Sequence, residues 1–197
     1  MPLAARHMQT PLVTVKEFLA MSFRDDRRYE LLDGEIVAQA YPIPAHSTLQ
    51  GALARHIGNA LDGWNRRHGT TCSALTEAGI RPHFDPAHNF RVADVAVTCE
   101  PFDPDVPYTT APILLIEILS PGDEAKQRAK LHVYAAMPSV REILFLDSRA
   151  VRAELHRGDA GHLWPEGPEV LEGDAPLRLE TVGLEMPLSE LYQNLEF

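Results

Sequence analysis

The chain has 197 residues and a formal net charge of -10, from 28 acidic and 18 basic side chains. With 45% hydrophobic and 23% charged residues it can bury the core of one domain, which excludes wholesale disorder, collagen and a disulfide-stapled miniprotein. No stretch approaches the ~20 apolar residues that span a bilayer. Met1 to Val13 does not read as a secretion signal, so cytoplasmic residence and no membrane contact are expected. An acidic chain does not coat nucleic acid non-specifically, so any chemistry on nucleic acid requires a local basic cleft.

Thr14-Val15-Lys16-Glu17 reads as a capping box ahead of Phe18 to Met21 and predicts a short helix. Tyr29 to Leu32, then Asp33-Gly34, then Glu35 to Ala38 predicts a hairpin, because Asp-Gly suits the positive φ angles of a type I′ turn. A long helix follows over Ala45 to Arg67. Leu49, Leu53, Ile57, Ala60, Leu61 and Trp64 form its apolar face, with His46 at the N-terminal end of that face. Gly69 closes it. Thr70 to Leu75, Ala78 to Pro82 and Val92 to Thr98 are candidate strands. Ile113 to Leu119 is nearly continuous in apolar residues, the pattern of a strand buried on both faces. Asp123 to Met137 reads as a helix, capped by Ser120 or Asp123 and ended by Pro138. Glu142 to Leu146 and Val151 to His156 are strands, with weaker runs near Val170 and Leu177 and a last short helix over Leu188 to Leu195. The order predicts an α/β (α+β) domain over residues 12–195, a central mixed β-sheet flanked by helices. An N-terminal β-hairpin and a β-rich C-terminal extension, Val151 to Pro187, complete it, and residues 1–11 are expected to form a mobile tail. Cys72 and Cys99 have no metal-type spacing and read as free buried thiols.

Two carboxylates break the apolar pattern. Glu117 is the one polar residue of Ile113 to Leu119, and burying it without a partner is costly. Asp94 repeats the oddity in Val92 to Val97. Their separation of 23 positions accommodates two strands and a loop. On neighbouring strands the two acids would converge and suit Mg²⁺ or Mn²⁺; otherwise they are unrelated surface acids. The chain has three lysines, Lys16, Lys126 and Lys130. Lys126, Lys130 and Tyr134 share one helix face by their spacing of four. A lysine beside two metal-binding carboxylates can orient an attacking water and offset phosphate charge; the plain alternative is a solvated basic face. There is no P-loop, dinucleotide fingerprint, nucleophile elbow or paired-histidine zinc motif.

Several of these segments, in this order, resemble the Uma2 family: Tyr29 to Ile36, His46, Arg91 to Val97, Ile116 to Pro121, Lys130 with Tyr134, Ser139 to Glu142 with Leu146-Asp147, and Gly183 to Tyr192. The resemblance covers about residues 12–195. That family is a restriction-endonuclease branch of the PD-(D/E)XK nuclease superfamily. It implies a restriction-endonuclease-like core and Mg²⁺-dependent (or Mn²⁺-dependent) hydrolysis of phosphodiester bonds in nucleic acid, DNA first. By that resemblance Asp94 matches the aspartate of the PD motif and Glu117 the second acid, both as metal ligands. Lys130 resembles the lysine that this branch carries on the following helix, where it assists the attacking water. Glu30 and His46 match further polar positions facing the cleft. Ala93 stands where the motif has proline, and Leu119 stands where its strand form has lysine, so the lysine role falls to Lys130, with Lys126 as its rival.

Two other readings are carried along. One is a nuclease-fold binding or assembly module without catalysis; the other is a metal-dependent hydrolase of small phosphorylated molecules. Arg55, Arg66, Arg67, Arg81 and Arg91 gathered around the two acids would favour the nuclease. An acidic rim would favour the module, and a narrow closed pocket the small-molecule hydrolase. A homodimer is expected for an enzyme that cuts both strands of a duplex.

Overall fold

The computed structural model describes residues 11–101, 103–122 and 124–196. Most of the tail expected to be mobile, residues 1–10, and the candidate cap Asp123 lie outside the described residues. The capping box forms with both of its halves at the start of α1 (Val15–Leu19). The hairpin forms as β1 (Tyr29–Leu32) and β2 (Glu35–Ala38), with Asp33 at φ 49° and Gly34 at φ 83°. Those paired positive angles are what a type I′ turn demands. Helix α2 (Pro44–His68) carries Leu49, Leu53, Ile57 and Leu61 on its buried face, and Gly69, at φ 64°, ends it in the left-handed conformation.

The remaining strands are β3 (Ser73–Ile80), β4 (Arg91–Thr98), β5 (Pro112–Leu119), β6 (Glu142–Asp147), β7 (Arg152–Arg157), β8 (Glu169–Glu172), β9 (Pro176–Leu179) and β10 (Leu184–Pro187). Strands β3 to β8 make one six-stranded sheet in sequence order. Only the β5–β6 pair is parallel, and α3 (Glu124–Ala135) is the crossover that a parallel pair requires. Each face of this sheet has its own core. Val95, Leu114, Ile116, Ile118 and Leu144 meet the apolar face of α2 and the C-terminal segment. Ala96, Leu115, Ile143 and Phe145 pack with Tyr134 and Met137 at the end of α3. Strand β5, covered on both faces, is therefore continuous in apolar residues except at Glu117.

The β-rich C-terminus extends the sheet through β7 and β8 and then adds a separate ribbon, β9–β10. Several expectations are corrected. The two short strands read at Thr70 to Leu75 and Ala78 to Pro82 are one strand, β3. Its pairing with β4 runs through Thr76↔Val95 and resumes at Ala78↔Ala93, around Glu77 at φ 51°; the polar pair Thr76-Glu77 masks the continuity. The last helix is a 3-10 turn over Leu188–Tyr192. Cys72 and Cys99 are not free thiols but a disulfide. The β3–β4 register, continued one step past Ser73↔Thr98, sets Cys72 directly opposite Cys99. Sequence separation alone does not reveal that register. Among the described residues no helix is long and apolar enough to cross a membrane.

Candidate active site

The β4–β5 ladder runs Val97↔Leu114, Ala96↔Leu115 and Val95↔Ile116, where it stops. Continued one step, that register sets Asp94 opposite Glu117. The backbone N–H of Ile118 turns to the side chain of Asp94 instead and donates to Oδ2 at 2.7 Å. The strand ends thus open beside a carboxylate pair, and Asp94 satisfies an amide that the ladder leaves behind.

Each further group comes from a different element. Helix α3 delivers Lys130, whose Nζ donates to Val92 O at 2.8 Å, to Glu30 Oε1 at 3.0 Å and to both Glu117 oxygens at 3.1 Å. Its three protons are all used, which makes burial of the ammonium tolerable. One turn later Tyr134 donates its hydroxyl to Glu117 Oε1 at 2.6 Å. The hairpin delivers Glu30, which also accepts from Val92 N at 2.7 Å. The start of α2 delivers His46, with Nε2 3.0 Å from Asp94 Oδ1 and Nδ1 3.2 Å from Ser120 Oγ. Gln50, one turn further, donates to Asp94 O. Ser120, expected as a helix cap, turns its hydroxyl to His46 instead. Arg91 reaches back to Leu31 O at 2.6 Å and ties the hairpin to the sheet.

Most of these groups, though not Tyr134 or Gln50, border one cavity of about 210 Å³ between the hairpin with its following segment, the ends of β4 and β5, and α3. Asp94, Glu117, Lys130, His46 and Glu30, all five candidates, line it. Lys126 lines it as well, from the exposed first turn of α3, so Lys130 is the buried partner of the carboxylates and Lys126 stands at the rim. The expected gathering of arginines is corrected. Of Arg55, Arg66, Arg67, Arg81 and Arg91 only Arg91 borders the cavity; Arg81 is tied to Tyr108 and Pro86. Arg28 does border it, a residue to which sequence reasoning assigned no role. Its place two residues before Glu30 in the hairpin motif was the available signal. The charged groups of the wall are nearly balanced, Arg28, Arg91, Lys126 and Lys130 against Glu30, Asp94 and Glu117, in a chain that carries -10.

Burial pushes the Glu117 carboxyl up to about 8; Lys130 and the Tyr134 hydroxyl pull against it, and the charges of Asp94 and Glu30 add to the rise. Burial alone would lower Lys130, but Glu117, Glu30 and Asp94 outweigh it and hold the ammonium above its usual value. Tyr134, desolvated beside the same carboxylates, is raised well above its usual value. The donor set fits a hard cation. Asp94 and Glu117 present carboxylate oxygens in cross-strand register, and a divalent ion would offset the repulsion that helps raise Glu117. Among the described residues no three His, Cys, Asp or Glu side chains form a metal-holding group. A cation here would complete its shell with water and substrate oxygens, as Mg²⁺ readily does.

Over residues 15–189 the chain matches the family Uma2, described as "Putative restriction endonuclease". It is 30% identical over 192 residues, 95% of each chain, to "Uncharacterized protein slr1290" of Synechocystis sp.. It superposes with a TM-score of 0.70 on a crystal structure from Anabaena variabilis described as "a putative nuclease belonging to DUF820", covering 92% of this chain and 98% of that one at 19% identity. That likeness bears out the mixed α+β fold with its central sheet. With the match spanning both cores and every element that borders the cavity, the chain belongs to the Uma2 family.

Proposed function

We propose that the chain is a metal-dependent nuclease that hydrolyses phosphodiester bonds of nucleic acid, DNA first, and that Asp94 and Glu117 hold the ion, Mg²⁺ or Mn²⁺. The observation that carries this reading is the convergence of Lys130 with Glu117, beside Asp94, in a cavity that Arg28, Arg91 and Lys126 also border, inside a family described as "Putative restriction endonuclease". When bound, the ion supplies a lowered pKa for water and charge stabilisation at the phosphate. Lys130, its protons held by Val92, Glu30 and Glu117, keeps a fixed positive charge at the same place and offsets charge that develops on the phosphate. Glu30 holds Lys130 in position, since its Oε1 accepts from both Lys130 and Val92 N. His46 holds Asp94 through Nε2 while Ser120 fixes the other ring nitrogen, so it acts as a positioning residue.

A second reading, a nuclease-fold module without useful catalysis, is favoured by one observation. Glu117, pushed up to about 8, competes poorly for a cation at neutral pH. Calorimetric titration with Mg²⁺ and Mn²⁺, paired with plasmid nicking, separates the two. The nuclease reading expects binding and nicking in the wild type and loss of both in Asp94→Asn. Binding without cleavage of DNA or RNA leaves the module; no binding at millimolar metal overturns the nuclease.

A further inference from the structure

The cavity's shape and wall chemistry go beyond the reaction class to the form of the substrate. Glu117 is 1% exposed and Asp94 5%, so the reactive carboxylates sit at the base of the cavity. On the hairpin side the wall is apolar, built from Leu32, Val37 and Ala38 and continued by Pro42. Tyr41, in the segment that joins β2 to α2, also borders the cavity and is 64% exposed. A duplex is a stiff rod whose bases are already stacked. Its phosphates cannot descend to the base of a walled cavity, and it offers Tyr41 no free base. An unpaired strand bends freely, and each of its bases has an open π-face for an aromatic platform.

Arg28 supplies the second half of the argument. Its Nη1 is buried and, among the described residues, makes no hydrogen bond. It is ion-paired with Glu77 at 3.5 Å and with Asp94 at 3.6 Å, neither contact being a hydrogen bond. A buried donor left unsatisfied is costly and calls for an explanation. The guanidinium borders the cavity beside Asp94, and its planar fork matches the geometry of a phosphate.

Resting on the nuclease reading above, we propose that this cavity takes single-stranded or locally unpaired nucleic acid, with a base stacked on Tyr41 and the adjoining phosphate held by Arg28. Binding is the test, since it requires no cleavage. Fluorescence anisotropy in EDTA would compare a labelled single-stranded DNA 12-mer, its blunt duplex and the RNA of the same sequence. The single strand should bind at least tenfold more tightly than the duplex. Tyr41→Ala should weaken single-strand binding about tenfold or more, while Phe84→Ala, also exposed but outside the cavity, should leave it unchanged. Arg28→Gln should weaken binding, and Arg28→Lys should restore only part of it because the fork is lost. A preference for RNA over DNA would identify the sugar without altering the assignment. Duplex binding equal to or tighter than single-strand binding, no binding to any of the three, or indifference to Tyr41→Ala overturns the proposal. Single-strand binding in a protein that never nicks with metal would retain this assignment and reject the nuclease.

Discussion

Two glutamates on adjacent parallel strands, Glu117 of β5 and Glu142 of β6, are equally buried, each 1% exposed, yet they live in opposite chemical circumstances. Glu142 accepts from Arg157 Nε, from the backbone N–H groups of Glu180 and Thr181, and from the Thr181 hydroxyl. It is wrapped in donors fixed by the fold and clamps the turn after β9 to the main sheet. Glu117 accepts from Lys130 and Tyr134 and borders a cavity. Burial is therefore not what distinguishes these two carboxylates. The donor shell and access to a ligand are.

The largest expected effects are opposite in kind at the two sites. Glu117→Gln keeps the shape of the side chain and replaces a carboxyl that burial already favours in its neutral form by a neutral amide. Metal-dependent cleavage should fall about 10³-fold or more, while thermal stability holds or rises. Glu142→Gln should do the reverse. It weakens a charge-assisted set that includes a guanidinium and should cost about 2–4 kcal/mol, with the cleavage rate per folded molecule retained. Nicking rates and urea unfolding of both variants, side by side, check this. If both variants lose stability and keep activity, Glu117 is structural like Glu142.

Next in size is a pH effect at Glu117. The folded chain holds a proton on Glu117 up to about 8, whereas an unfolded chain releases it near the ordinary value of 4.5. Between those values the native state binds more protons than the unfolded one. The stability contributed by this group is therefore present below 4.5 and is lost as pH rises to about 8. Thermal melts in EDTA from pH 6 to 9 should show Glu117→Gln losing less stability than the wild type. Cation binding needs the carboxylate, so Mg²⁺ affinity should climb over the same range and level off above pH 8. An affinity independent of pH would sink the assignment of Glu117 as a ligand.

Only one of these two acids announced itself in the sequence. Glu117 stands inside seven residues that are otherwise apolar, whereas Glu142 opens its strand, where an acid excites no suspicion. The shell around Glu142 comes from Arg157, Glu180 and Thr181, a β-strand and a turn that no local pattern links to it. Local signals were legible where the physics is local: the capping box at Thr14, the Asp33-Gly34 turn, the apolar face of α2 and the inward place of His46. What depends on register was not. Asp94 opposite Glu117, and Cys72 opposite Cys99, follow from pairings between strands that sequence order does not number. Arg28 escaped because exposed and buried arginines look alike until the fold walls one in.

The smallest effect tests how finely the two shells differ. Thr181→Val removes one neutral donor from Glu142 and leaves Arg157 and two backbone N–H groups in place. The carboxylate stays largely satisfied, so the cost should be that of one hydrogen bond, about 1 kcal/mol, a melting shift of about 2–4 °C for a chain of this size. Tyr134→Phe also removes one hydroxyl, but from a carboxyl with few donors and beside Asp94 and Glu30. There the loss should register as chemistry: the Glu117 value moves further up, and the pH at which Mg²⁺ affinity levels off moves with it. Thr181→Val should leave that pH profile untouched. Equal shifts of the profile in both variants would mean that the hydroxyl effects travel through the sheet rather than through the carboxyl each one touches.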